Sequence, residues 1–223
     1  AYDVLPAEAG VPTRADVPLL KPWILPSANA FIRDPGARHP QPGTAPPGDD
    51  LPFIDPDFDD SAWESVVVPH DWAIGGPFLE TGPYGGMGRL PSWGIGWYRL
   101  DLDIPAADEG RSIFLDIEGA MAFSTVWLNG ELVGGWPYGY NSYRLDLTPH
   151  VVPGGTNLLA VRLDNLPDSA RWYPGGGLYR DVWLVRTDPV RVAQWGTQVS
   201  TPAVSAEQAN VRLDVTIDNA TDE

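Results

Sequence analysis

Val126-Trp127-Leu128-Asn129-Gly130-Glu131-Leu132-Val133-Gly134 decides the fold class of this chain. Asn-Gly between two short apolar runs is the strongest short-range signal for a two-residue β-hairpin, because both turn positions tolerate positive φ. Alternation continues on either side. Trp97 to Ile104 places Tyr98, Leu100, Leu102 and Ile104 on one face, and Ile113, Leu115 and Ile117 repeat the period of two. Ser124, Val126 and Leu128 oppose Thr125, Trp127 and Asn129 in the same way. Further strands are read at Tyr143 to Leu147, Leu158 to Leu163 and Val182 to Val185, with a turn at Pro153-Gly154-Gly155-Thr156-Asn157. Strands at this spacing without an amphipathic helix predict an all-β sandwich or barrel.

Composition supports that reading. The 223 residues include 24 Gly and 24 Pro, yet 43% are hydrophobic and ten are Trp, an aromatic load that fits a turn-rich β-protein and excludes disorder. A net charge of −16 argues against nucleic acid, which needs clustered Lys and Arg. No apolar run approaches membrane-helix length, so no membrane partner is expected. The absence of cysteine removes disulfides, thiolate metal sites and a Cys nucleophile. Ala1-Tyr2-Asp3-Val4 lacks the basic and apolar regions of a signal peptide. A start of this kind fits a mature terminus after cleavage, which favours secretion over a cytoplasmic setting.

A second informative stretch runs from Arg171-Trp172-Tyr173-Pro174-Gly175-Gly176-Gly177 to Leu178-Tyr179-Arg180-Asp181-Val182-Trp183-Leu184. Glycine lets the backbone turn where a side chain would clash, and arginine beside aromatics can stack or hydrogen-bond to hydroxyl groups. The stretch reads either as carbohydrate recognition or as a tight structural corner. Pro69-His70-Asp71-Trp72, Gly94-Ile95-Gly96-Trp97-Tyr98-Arg99 and the Val126 to Gly134 block precede it. In that order the four motifs resemble the amino-terminal sugar-binding domain of glycoside hydrolase family 2, over roughly residues 50 to 188. The resemblance implies a jelly-roll, galactose-binding-like β-sandwich, then an immunoglobulin-like sandwich, then a (β/α)8 barrel with two catalytic glutamates.

Three regions are expected on this basis: a Pro-rich segment at 1–49, the sandwich at 50–188, and the first strands of an incomplete immunoglobulin-like domain at 189–223. Val190 to Val192, Gln198 to Ser200 and Val211 to Ile217 read as strands of the last. Leu19 to Ile24 and Ala30 to Arg33 look strand-like within the first. Phe58 and Trp63 in Asp55-Pro56-Asp57-Phe58-Asp59-Asp60-Ser61-Ala62-Trp63 are expected to anchor a short helix or loop against the sandwich. Its carboxylates lack the spacing and glycine of a calcium loop, so a solvated turn is the preferred reading. The glycine-rich arm Gly82 to Trp93 has no following helix and reads as a mobile loop, not a phosphate cradle.

No catalytic residue is expected in this chain. Hydrolysis of a glycoside needs two carboxylates flanking the bond, and none here sits in a context like the barrel glutamates. His39, His70 and His150 have no serine in a nucleophile elbow beside them and no clustered metal partners, so neither a metal nor a cofactor is expected. The resemblance instead implies substrate contacts: Asp71 and Arg171 on sugar hydroxyls, with Trp72, Trp172 and Tyr173 either offering apolar faces to the sugar or fixing the loops. A carboxylate accepts from two adjacent hydroxyls, and a guanidinium supplies a fork of donors. For Asp71 the competing reading is a capped turn, and for Arg171 an ion pair with Asp168 or Asp71. Arg180 is read as a structural arginine bound to carbonyls or an acid, and Trp127 and Trp136 as core or sheet-face residues. The implied partners are a β-galactoside or related sugar and a barrel outside this chain, with an oligomer as a further possibility. The alternatives are a free-standing carbohydrate-binding module and a purely structural scaffold.

Overall fold

The computed structural model describes residues 2–4, 51–78, 90, 94–165 and 175–221. Ten strands follow in order: β1 Tyr2–Val4, β2 Gly94–Asp103, β3 Ser112–Ile117, β4 Ser124–Leu128, β5 Glu131–Trp136, β6 Tyr143–Asp146, β7 Thr156–Asn165, β8 Val182–Thr187, β9 Val190–Val204 and β10 Ala209–Asn219. They form a five-stranded sheet β1-β2-β7-β4-β5, a three-stranded sheet β6-β3-β8, and a separate ribbon of β9 and β10. No α-helix occurs among the described residues, only 3-10 turns at Pro52–Ile54 and Ala106–Asp108. The all-β sandwich is thus the observed architecture.

The period of two does the work the sequence assigned to it. Tyr98 and Ile104 from β2 and its exit meet Ile113, Leu115 and Ile117 of β3, Val126 and Leu128 of β4, and Val161 and Leu163 of β7 in one core between the sheets. Leu102 packs against that core, while Leu100 on the same face is 55% exposed. It lines an apolar cavity of about 250 Å³ at the β2 and β8 edge, with Val66, Leu159, Val182 and Leu184. The Asn129-Gly130 turn joins β4 to β5 with φ of 54° and 81°, the conformation its composition demands.

Strand β4 departs from simple alternation, since all five of its residues are buried. The reason is a second cover. The segment around Pro52–Ile54 lies on the outer face of the five-stranded sheet, where Ile54, Trp97, Trp127 and Ala160 form a smaller core bordered by Phe53 and Trp63. Phe53 packs edge-on against Phe58 at 5.1 Å and Trp63 at 5.4 Å, and lies 5.2 Å from the Trp97 ring. The anchoring expected of Phe58 and Trp63 is therefore present. The acidic turn is fastened by Arg99, which is 5% exposed. Its Nε donates to Asp60 at 2.8 Å, and its terminal nitrogens donate to the carbonyls of Phe53, Asp55 (3.1 Å) and Phe58 (3.4 Å). Asp55 and Asp59 accept from the backbone N–H of Asp57 and Ser61. The carboxylates thus close turns and hold an arginine.

The ribbon is one long hairpin in place of the separate short strands read at 190–192 and 198–200. Trp195 at φ 52°, followed by Gly196, bends β9 without ending it, and the register shifts opposite this point between Val215 and Ile217. Val199, Val211, Leu213, Val215 and Ile217 are exposed along it. Arg191 joins the ribbon to the sandwich. It donates to Ser112 Oγ at 2.9 Å and to the Pro189 carbonyl at 3.1 Å, faces Asp218 at 3.8 Å, and lies over Phe114 at 4.8 Å. Arg144 covers Phe114 at 4.9 Å while holding Asp116 through two bonds of 2.6 Å. The strand-like stretches expected at 19–24 and 30–33, and the arm at 82–93 apart from Leu90, lie outside the described residues.

Candidate functional site

The glycine bend and the Pro69-His70-Asp71-Trp72 motif meet at one end of the sandwich. Residues 176–178 run extended between two neighbours. On one side His70 N–H donates to the Leu178 carbonyl at 2.7 Å and Trp72 N–H to the Gly176 carbonyl at 3.0 Å. On the other, Gly177 and Met121 exchange a pair of backbone bonds at 2.9 and 3.1 Å. Gly177 has φ 123°, and a Cβ there would strike the His70 carbonyl and approach the Tyr98 hydroxyl at 2.7 Å. A Cβ on Gly176 would run into the Trp72 indole, and one on Gly96 would reach that ring from β2 at 2.6 Å. The bend is glycine-rich because an indole and a backbone carbonyl occupy the space side chains would need.

Asp71 has two differently employed oxygens. Its Oδ1 accepts from Ala73 N–H at 2.8 Å, Ile74 N–H at 3.3 Å and Gly176 N–H at 3.2 Å. Turn capping, one of the two readings of this residue, is thus what Oδ1 does, and it also grips the bend. Oδ2 is buried and has no hydrogen-bond partner among the described residues. A second carboxylate flanks the same loop. Asp164, 3% exposed, accepts from Arg162 at 2.8 Å through Oδ2, while its buried Oδ1 has no partner among the described residues. Asn165 beside it donates to the Gly175 carbonyl at 2.8 Å, so Asp71 and Asn165 clasp adjacent residues of the bend. Buried acceptors of this kind are costly until a donor reaches them, and a carboxylate accepts only.

Trp72 is half-buried, with its ring wedged against Gly96 and Gly176 and packed on the core. Its evident task is to hold the two loops together. Arg171, Trp172 and Tyr173 lie outside the described residues, a short step along the chain from Gly175. His70 Nδ1 lies 2.9 Å from the Tyr98 hydroxyl, which accepts from Leu178 N–H at 3.3 Å. Burial lowers the imidazole pKa, against the opposing charges of Glu64 and Asp71. Arg180 corrects its sequence reading: it is exposed, and its guanidinium lies over the Tyr179 ring at 5.4 Å. Trp127 is a buried core residue and Trp136 stacks on Tyr143, as read.

The sequence reading missed Asp164 and Asn165. The strand there was read only as far as Leu163, whereas both residues end β7, both are buried, and Asn165 is tied to the Gly175 carbonyl. No group of three or more His, Asp or Glu side chains placed to hold a metal occurs among the described residues, and no helix there is long and apolar enough to cross a membrane. Asp71 and Asp164 can accept hydrogen bonds from a hydroxylated ligand.

Residues 93–173 match the family described as glycosyl hydrolase 2 galactose-binding domain-like. A β-galactosidase of Bacteroides ovatus is 43% identical over 177 residues, covering 78% of this chain and 21% of that protein. A β-glucuronidase of Bacteroides fragilis is 31% identical over 165 residues, covering 69% of this chain and 23% of that protein. A crystal structure of a β-glycosidase from Bacteroides vulgatus superposes with a TM-score of 0.69 at 31% identity, over 77% of this chain and 22% of that one. A glycosyl hydrolase family 2 member from Bacteroides cellulosilyticus gives 0.66 at 34%, over 78% and 24%. The chain spans about a fifth of the length of the curated relatives it matches.

Proposed function

We propose that this chain, which carries the galactose-binding-like amino-terminal domain of glycoside hydrolase family 2, is the substrate-recognition region of a β-galactosidase. The observation that carries the reading is the division of labour in Asp71. One oxygen fixes the loop and the other is buried without a donor, as suits a group awaiting a sugar hydroxyl. Arg171, Trp172 and Tyr173 enter the same reading as neighbours of the bend that Asp71 holds, the arginine as a donor to hydroxyls and the aromatics as faces for the sugar ring. Asp164, whose free oxygen flanks the other end of the loop, joins them. The catalytic carboxylates, and the barrel that would present them, belong to the remainder of a longer protein. Residues 189–223 are read as the opening strands of an immunoglobulin-like domain between the two. Galactoside is preferred to glucuronide because the 43% identical relative is a β-galactosidase, and because a lone carboxylate oxygen suits a neutral sugar better than an anionic one.

The test is turnover in the longer protein. Asp71→Asn keeps an acceptor oxygen for the turn but replaces the second oxygen with a donor. It is expected to lower kcat/KM on nitrophenyl β-galactoside about ten- to a hundredfold, the worth of one charged hydrogen bond of ~1.5–3 kcal/mol, with Tm held. Unchanged kinetics, or greater turnover of the β-glucuronide, would sink this reading.

A further inference from the structure

We propose that Tyr138, Tyr140 and Tyr179, bordered by Arg180, Glu118 and Trp183, form a second carbohydrate contact: a platform for a pyranose unit of an oligosaccharide, separate from the Asp71 loop. Its ligand class rests on the sugar-recognition reading above, and its residues are different ones. Tyr138 is 53% exposed and Trp183 54%, although each is a large aromatic at a fixed place. The Tyr138 and Tyr140 rings meet edge to face at 5.3 Å. Between them the Gly139 carbonyl accepts the Tyr179 hydroxyl at 2.8 Å, which ties the β5–β6 loop to the segment before β8. Gly139 has no room for a Cβ because Met121 packs there, and Gly119 none because Tyr179 and Arg180 do, at 2.9 and 3.0 Å. Two glycines and a hydrogen bond therefore hold the aromatic surface in place without burying it.

The border supplies polar chemistry. The Arg180 guanidinium lies over Tyr179 at 5.4 Å, and Glu118 accepts from the Trp183 indole at 3.1 Å. Aromatic faces suit the C–H side of a sugar ring, while a guanidinium and a carboxylate suit its hydroxyls. An apolar protein partner would have no use for that rim of charge. The platform also lies on the same end of the sandwich as Asp71. Segment 176–178 separates residues 70–72 from Met121, two strand spacings or roughly 10 Å, and Gly139 packs against the Met121 side chain. A chain of several sugars could span both places, whereas one sugar could not.

Calorimetric titration of the 223-residue chain with β-1,4-galactotetraose and with galactose tests the idea. Saturable binding of the tetraose is expected, weakened about three- to tenfold in Tyr138→Ala and in Trp183→Ala. Galactose should bind no better than the weakened variants bind tetraose. Both aromatic variants remove exposed side chains, so unchanged melting temperatures are the control for folding. Absence of tetraose binding by the unaltered chain would overturn the platform. So would binding that is undiminished in both Tyr138→Ala and Trp183→Ala. Neither result touches the Asp71 reading, which is judged by turnover in the longer protein.

Discussion

Replacing Arg99 with methionine removes one side chain that fastens an irregular segment to a sheet. The guanidinium, 5% exposed, serves the Asp60 carboxylate and the carbonyls of Phe53, Asp55 and Phe58, and lies over the Phe58 ring at 5.3 Å. Methionine fills similar space but donates nothing. Each bond lost to a charged donor is worth ~1.5–3 kcal/mol taken singly. The sum is smaller, because the Asp60 side chain is 35% exposed and can return to water. Breaking a buried pair by deleting one partner costs about 3–5 kcal/mol. At roughly 2–4 °C per kcal/mol for a domain of this size, Tm should fall by about 6–20 °C. Release of the 51–63 cover would also wet Trp97 and Trp127, now 2% and 1% exposed, and shift tryptophan emission to the red. Asp60→Asn, which leaves the carbonyls served, should cost about 1 kcal/mol or less. Scanning fluorimetry with emission spectra reads all three effects. An Arg99→Met chain that melts within about 2 °C of the original with unaltered emission would refute the argument.

Four further outcomes are expected. His70 is neutral in the fold because burial lowers its pKa, so below the unfolded value of 6.5 the unfolded chain binds the extra proton. Stability should therefore decline as pH falls from neutrality through that value, and a urea-unfolding series in which His70→Asn shows the same slope would rule this group out. Gly177→Ala places a Cβ at φ 123° against the His70 carbonyl, combining backbone strain with overpacking for about 2–6 kcal/mol; a chain that unfolds at the original urea midpoint would contradict the geometry. The chain alone should not hydrolyse nitrophenyl β-galactoside, and limited proteolysis should cut the exposed ribbon of β9 and β10 before the sandwich; turnover lost on mutating one of its own residues, or a ribbon as resistant as β7, would reverse that reading.

The sandwich was legible because its signals are local. Alternation in β2 and β3, and an Asn-Gly pair at φ 54° and 81°, depend only on a period of two and on which residues accept positive φ. The outer cover was half legible. Phe58 and Trp63 announced themselves as anchors, but Arg99 joins residues far away in sequence, and nothing near it marks it as a clasp. Burial of every residue of β4 follows from the same cover and erased the alternation there. The bulge at Trp195-Gly196 broke the apolar pattern and made one strand look like two. At the site, the motifs led to Asp71 and to the bend. Asp164 and Asn165 stayed hidden, since nothing in the residues around them marks the bond that Asn165 makes to the Gly175 carbonyl ten positions on.

Arg191 gives the junction between sandwich and ribbon a mechanical character. Only Asp188 and Pro189 separate β8 from β9. Any swivel about them must pull a guanidinium off Phe114 and unmake its bond to Ser112, while its contacts with the Pro189 carbonyl and with Asp218 belong to the junction and the ribbon themselves. The two that cross the junction both fall on β3, so they pin the ribbon to one strand of the sandwich. The junction is a welded elbow instead of a pivot. Force applied to the ribbon would pass to β3 through these two contacts, and a joint of this stiffness would keep the ribbon aligned with the three-stranded sheet.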